Sequence, residues 1–299
     1  MRIRRVRVVV GLVSLAVVCL TGWMQGECAK DHRENKNAGI LLTDFTVTGT
    51  RAMSDTELAG ITGELIGQCF DEDIEEMGER VRALFQDQGY FTVEVKNVRL
   101  KAGDPLGIPK PVTMEAEVAE GVQYKLGEIT FAGYRAFGAD ELRQQFPLKI
   151  GAVFERGKVA SGLESLRKLY RTKGYLDVTF IPETQFGSNA TTHLNITFQE
   201  GPQYRLDKVE FVGKKESTAR LQVEWKLDEG SVYDASYLDQ YIEANRDLLP
   251  EGFTREEVQI GKDCPKGLVQ VRLVVDAAED AARAPLKNVP CEDKSEKAK

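Results

Sequence analysis

Apolar residues recur every three to four positions along Ile74, Met77, Val81, Leu84 and Phe85, and again along Val159, Leu163, Leu166 and Tyr170. That spacing predicts two helices, each with one buried stripe. After each helix the period drops to two. Phe91/Val93/Val95 and Val112/Met114/Ala116/Val118 follow the first, and Leu176/Val178/Phe180 and Leu194/Ile196/Phe198 follow the second. Val269/Val271/Leu273/Val275 repeats the pattern near the end. Strict alternation predicts strands with one face in a core and the other in water. Ser54-Asp-Thr-Glu57 has the form of a capping box and opens a further helix carrying Leu58, Ile61 and Leu65.

These elements repeat. The segment from Glu120 to Gly133 returns from Glu200 to Gly213, 80 residues on, with seven of fourteen positions identical, including Glu-Gly, Gln-Tyr, Leu, Phe and the last Gly. A fainter copy is Phe45-Thr-Val-Thr-Gly49. A second landmark, Gly67-Gln-Cys-Phe70, Gly151-Ala-Val-Phe154 and Gly230-Ser-Val-Tyr233, joins two helical stretches in each copy. A third pairs Arg82, Leu84, Phe85, Gly89 and Tyr90 with Arg167, Leu169, Tyr170, Gly174 and Tyr175, and Gly252-Phe253 stands in the corresponding place of the third copy. A fixed period is a statement about architecture. The unit is about 80 residues of β-α-α-β-β order, so the fold class is α+β: three tandem modules, each a small three-stranded sheet with two helices on one face. A sheet of three strands has two edges, whose unpaired backbone groups can accept an added strand.

Charge and composition remove several function classes. The 299 residues carry 40 Lys and Arg against 47 Asp and Glu, a net charge of −7, without the basic surface that binding nucleic acid by phosphate neutralisation requires. Only two histidines, His32 and His193, are present, which removes most zinc sites and most nucleophile-histidine catalysis. No acid cluster recurs at matched loop positions, and no cofactor or metal is expected. Gly151 to Lys158 does not have phosphate-loop spacing and reads as a turn between helices. The acidic run Asp71 to Glu76 opens a helix, where acids suit the dipole.

Arg2, Arg4, Arg5 and Arg7 precede an uncharged run from Val8 to Leu20, the layout of a secretory signal. A retained single-span anchor is the alternative for residues 1–28.

The order of elements, the Glu-Gly-x-Gln-Tyr-Lys/Arg-Leu lead into the first strand and the Gly-Tyr after the second helix resemble the POTRA (polypeptide-transport-associated) domain. On this resemblance the chain divides into a linker at 29–39, POTRA-like modules at 40–121, 122–201 and 202–280, and a disordered charged tail at 281–299. The resemblance implies a periplasmic arm of bacterial outer-membrane barrel assembly or secretion machinery. After Asp280 only nineteen residues remain in this sequence, too few for a transmembrane barrel. The expected function is therefore a non-enzymatic adaptor at the outer membrane that binds extended polypeptides by strand addition. Its partners would be envelope proteins, a separate outer-membrane barrel protein or unfolded barrel precursors. The alternative is a scaffold anchored in the inner membrane and facing the periplasm, resembling a cell-division protein, with no client binding.

The candidate peptide-edge residues are Phe91, Val93 and Val95 in the first module and Leu176, Val178 and Phe180 in the second. Cys69 aligns with Val153 and Val232 and reads as a core thiol. Cys264 and Cys291 flank the last strand and would meet an oxidising periplasm after export, so a Cys264–Cys291 disulfide tying the tail to the third module is expected.

Overall fold

The computed structural model describes residues 40–50, 53–70, 74–103, 110–276 and 285–291. The expected signal or anchor, the linker at 29–39, the side chain of Cys69 and residues 281–284 and 292–299 of the tail lie outside the described residues.

Three β-α-α-β-β groups follow one another. The first contains β1 (Ile40–Thr48), α1 (Asp55–Gly63), the two-residue β2 (Cys69–Phe70), α2 (Ile74–Asp87), β3 (Glu94–Ala102) and β4 (Lys110–Ala119). The second contains β5 (Lys125–Ala132), α3 (Ala139–Gln144), α4 (Arg156–Thr172), β6 (Thr179–Gly187) and β7 (Thr191–Gln199). The third contains β8 (Arg205–Val212), α5 (Lys215–Glu224), α6 (Ala235–Ala244), β9 (Val258–Asp263) and β10 (Leu268–Val274). The sheet orders are β2-β1-β4-β3, β5-β7-β6 and β8-β10-β9. In the first and third groups the last strand lies in the middle, parallel to the first strand and antiparallel to the one before it. Parallel pairing needs a long crossover, which the two helices supply.

The first sheet departs from the expected three strands. Its fourth, β2, is the Gly67-Gln-Cys-Phe70 landmark, paired antiparallel with β1. The turn between the helices runs alongside β1, where the Gly67 N–H donates to Leu42 O (2.8 Å) and the Leu42 N–H to Gln68 O (3.2 Å).

By packing, the chain forms two compact units. One runs to Glu128 and includes Leu148–Lys158 and Phe186–Thr192; the other holds Ile129–Pro147, Val159–Gln185 and the residues from His193 onward. In the first unit the alternating Val112, Met114, Ala116 and Val118 of β4 are all buried, facing Leu42, Phe45 and Val47 of β1 and Met77, Val81 and Phe85 of α2. Each of these Val, Leu, Met and Phe side chains contributes about 1.5–3 kcal/mol by leaving water, and Ala116 less. Ser54 caps α1 reciprocally with Glu57, as its sequence predicts.

In the second unit, α4 buries Gly162, Leu166 and Tyr170. Gly162 lies against the Phe146 ring so closely that a Cβ there would be 2.2 Å from it. Tyr170 and Phe198 sit within an aromatic cluster with Phe137 and Phe180. The third module's core gathers Tyr204, Leu206, Leu221, Tyr233, Leu238, Tyr241 and the alternating Val269, Val271 and Leu273 of β10. Among the described residues no helix is long and apolar enough to cross a membrane.

Candidate functional site at the sheet edges

The repeated Gln-Tyr and Gly-Tyr signatures build the junctions between modules. In the first unit, the Tyr124 N–H donates to Gly89 O (2.9 Å), the Gln123 side-chain amide donates to Gln88 O (3.0 Å), and the Phe154 N–H donates to Tyr124 O (3.0 Å). In the second unit the same three bonds run from the Tyr204 N–H to Gly174 O (2.8 Å), from the Gln203 amide to Lys173 O (3.0 Å) and from the Tyr233 N–H to Tyr204 O (3.0 Å). Gly89 and Gly174 both end a helix at positive φ, the C′ conformation that glycine adopts without penalty. The longest identity between repeats thus encodes the way one module is attached to the next.

That finding relocates several of the expected peptide-edge residues. The chain turns at Gly89 and Gly174 before it extends, so the strands begin at Glu94 and Thr179. Phe91, Val93, Leu176 and Val178 precede them, which corrects the strand reading of 91–93 and 176–178. Phe91 packs at the first junction, its ring centroid 5.7 Å from Tyr124, 5.6 Å from Phe154 and 5.2 Å from Phe186. Leu176, its counterpart, packs against the third module's core. Val93 and Val178 are buried. Val95 and Phe180 do lie in β3 and β6, where Val95 packs on the first core and Phe180 on Tyr170 and Phe198. Any strand added at these edges would therefore meet backbone groups and exposed side chains such as Lys96, Thr179 and Ile181.

One edge of each sheet is closed in the same way. The segment between the helices covers the first strand, as β2 beside β1 and as the bridges Lys125↔Val153 and Arg205↔Val232. The opposite edges are β3, β6 and β9. β3 carries a bulge between Lys96 and Arg99 with Asn97 at φ 47°. β6 contains Pro182, which has no N–H to offer. Both are devices that limit indiscriminate pairing at an exposed edge. β9 has neither: its register with β10 is continuous from Val258 to Asp263.

β9 is covered by residues expected to be disordered. Val289 bridges Asp263 in parallel; its N–H donates to Lys262 O (2.7 Å), and its carbonyl accepts from the Cys264 N–H (3.0 Å). The Asn288 side-chain oxygen accepts from the Lys262 N–H (3.0 Å). Main-chain hydrogen bonding thus organises part of a segment whose Ala/Lys/Glu composition reads as disordered. Cys264 and Cys291 are placed as a bonded pair, their Cα atoms 4.9 Å apart. Asp177 approaches both sulfurs, but two sulfurs bonded to each other are not free to ligate a metal. Beside them lies a cleft of about 770 Å³, walled by Leu176, Tyr204, Ile260 and residues 288–291.

Two charged networks hold the second unit together. Glu200, from the repeated Glu-Gly, is 5% exposed. Its Oε1 accepts from the backbone N–H groups of Arg135 (2.7 Å) and Ala136 (2.9 Å) and from the Tyr170 hydroxyl (2.9 Å). Burial pushes its pKa up, but the Ala136 and Arg135 N–H groups, the Tyr170 hydroxyl and the Arg135 charge outweigh that and hold it below the ordinary 4.5. Tyr170 is raised by its own burial and by this carboxylate. In the second network, Asp177 accepts from the Tyr204 hydroxyl and from the Lys262 ammonium of β9. Burial and Asp177 both raise the Tyr204 pKa.

Comparison with known proteins gives this geometry a context. Residues 124–201 match the family model POTRA, described as a surface antigen variable number repeat. A Treponema pallidum (strain Nichols) protein named as a candidate outer membrane protein assembly factor is 27% identical over 191 residues, covering 59% of this chain and 22% of its own length. Outer membrane protein assembly factor BamA of Neorickettsia risticii (strain Illinois) is 21% identical over 189 residues, 62% of this chain and 24% of its own. The chain thus spans less than a quarter of the length of these curated relatives. The crystal structure of Haemophilus influenzae BamA POTRA3-5 superposes with a TM-score of 0.55 at 19% identity, covering 79% of this chain and 96% of that one. It shows the same fold.

Proposed function

We propose that this chain, whose residues 124–201 are a POTRA domain, is a non-enzymatic, exported adaptor in outer-membrane protein assembly that accepts extended polypeptide segments by strand addition. The observation that carries this reading is the asymmetry of the sheets. The segment between the helices closes the same edge in every sheet, leaving β3 and β6 at the margin with no strand beyond them among the described residues. Similarity to assembly factors supports the process in which such an edge would serve. The chain would act in the periplasm, at the outer membrane through a barrel partner. Its ligands would be unfolded barrel precursors or extended segments of envelope proteins.

The mechanism follows from backbone chemistry. A peptide lying along β6 would donate and accept main-chain hydrogen bonds, each contributing about 0.5–1.5 kcal/mol net. A few such bonds, interrupted at Pro182, give modest affinity and broad specificity. Photo-crosslinking in living cells, with the probe at Thr179 on β6 and at Lys96 on β3, tests this directly. A ladder of many outer-membrane precursors is expected. A single dominant adduct with one folded envelope protein would instead identify a scaffold.

A further inference from the structure

We propose that the β9 edge of the third module is itself a strand-accepting site, occupied here by the chain's own segment 286–290, and that the Cys264–Cys291 link is the latch holding that occupant in place. The inference rests on the strand-addition reading and extends it to the third sheet, with a defined ligand.

The covered edge is the one lacking other protection. β3 has its bulge and β6 its proline, whereas β9 presents six residues in unbroken register. The occupant is bound as an added strand is bound. Val289 exchanges two main-chain hydrogen bonds across the edge, with Lys262 and Cys264, and Asn288 supplies a side-chain acceptor for the Lys262 N–H. Gly261 lets the segment come close: a Cβ there would lie 2.7 Å from Leu286 Cβ and 3.0 Å from Lys287 O. Pro290, next along, has no N–H to offer on the outer side of the segment, so a further strand is not readily added there. The site therefore suits an extended peptide, parallel to β9, with an acceptor side chain directly before the residue that pairs through its main chain.

The edge is also wired to the junction with the second module. Lys262 has both backbone groups on the occupant and its ammonium on Asp177, which in turn holds the Tyr204 hydroxyl. Residues 288–291 form one wall of the cleft beside Leu176 and Tyr204, so their departure would widen it. A segment tethered by a nearby cross-link presents itself at an effective concentration on the order of millimolar. An outside peptide competes poorly while the cross-link is closed.

The test uses the full chain and a fluorescent synthetic peptide, Pro-Leu-Lys-Asn-Val-Pro-Ser, which copies residues 285–291 with the cysteine replaced. Binding is read by anisotropy and by amide hydrogen exchange, comparing the oxidised wild type with Cys291→Ser and, separately, with Val289→Pro, which removes the N–H donated to Lys262. Val269 and Val271 amides, in the core strand β10, report that the module remains folded. In both variants the Cys264 amide is expected to lose protection by at least about tenfold, and the peptide to bind at least about tenfold more tightly than to wild type and to restore that protection. If the Cys264 amide exchanges as in wild type, there is no latch. If it is released but no peptide binds, β9 is not an accepting site. Amides of β3 and β6 report on the wider reading: precursor peptides protecting them while β9 stays silent would defeat this inference alone. A β9 response with β3 and β6 silent would support this inference and defeat strand addition at those two edges.

Discussion

Replacing Glu200 by Gln isolates the energetic value of one buried charge. Glu200 Oε1 accepts three hydrogen bonds, at 2.7, 2.9 and 2.9 Å. A Gln oxygen at the same place faces the same three donors with two lone pairs, so the substitution keeps shape while removing charge and weakening the acceptor. Hydrogen bonds to charged groups contribute about 1.5–3 kcal/mol each against about 0.5–1.5 for neutral ones. Part of the difference is returned because a neutral amide is less costly to bury, and the Arg135 ion pair adds little because its side chain is 86% exposed. The net expectation is a loss of about 1–3 kcal/mol. Glu200→Ala, which leaves two N–H groups and the Tyr170 hydroxyl facing a void, should cost more, because each buried donor left unsatisfied costs about 1–3 kcal/mol.

The pH dependence separates this explanation from simple mispacking. A carboxylate whose folded pKa lies below 4.5 contributes stability that is fully present above its unfolded value and is lost as pH falls through the folded one. The wild type and Glu200→Gln should therefore differ by a constant amount near neutral pH, and the gap should narrow below about pH 4.5. Urea unfolding across that range, with exchange of the Ala136 amide as the local readout, measures it. A gap that persists unchanged to pH 3, or a Gln variant as stable as wild type at pH 7, would refute the claim that charge rather than shape holds this loop.

Three further substitutions and one mapping experiment probe packing and linkage. Gly162→Ala places a methyl 2.2 Å from the Phe146 ring and should destabilise by about 1–3 kcal/mol through overpacking, read as a lowered Tm. Gly174→Ala combines φ +76° with a Cβ 2.6 Å from Tyr204 O, so it should break the junction bond. The expected sign is loss of protection at the Tyr204 amide, while Gln203→Ala, which deletes one side-chain bond, costs only about 0.5–1.5 kcal/mol. Non-reducing peptide mapping of the exported chain should yield Cys264 and Cys291 in one linked fragment; both thiols recovered free would remove the latch.

The helices and the interior strands were legible because burial leaves a trace in side-chain identity. Met77, Val81 and Phe85 on α2, and Val112 to Val118 on β4, are the positions the periodicity selects and the positions the core buries. The repeat was legible too, although its cause was not: Gln123 and Gln203 recur because their amides hold the preceding module, a role that spacing cannot reveal. Phe91 and Leu176 misled for a related reason. They continue the alternation of Val93 and Val178, yet the glycine two residues earlier turns the chain, and their apolar character serves a junction. The Glu200 network had a signal in the recurrent Glu-Gly. The segment at 285–291 had one signal, Cys291, whose expected link to Cys264 ties it to the third module; its pairing along β9 had none, because that contact is largely main-chain and the composition is that of an unpaired tail.

The edges were the least legible part for the same physical reason, since any residue carries the N–H and C=O groups that pair strands. What a sequence can show is how an edge is defended, and here the defences differ among three copies of one unit. Asn97 at a bulge and Pro182 in β6 interrupt these margins locally, and no strand lies beyond either among the described residues. β9 has no such interruption and instead carries a bound strand. If all three edges needed only protection from aggregation, a proline or bulge in β9 would suffice, and neither Asn288 nor the cysteine pair would be required. A cover made of hydrogen bonds that another peptide could reproduce, fastened at one point by a disulfide that a dithiol reductant would convert to two thiols while itself becoming a disulfide, is what a reversible site requires. The Val289→Pro and Cys291→Ser variants therefore test whether the third module differs from the first two in being latched, and the Cys264 amide is where that difference is read.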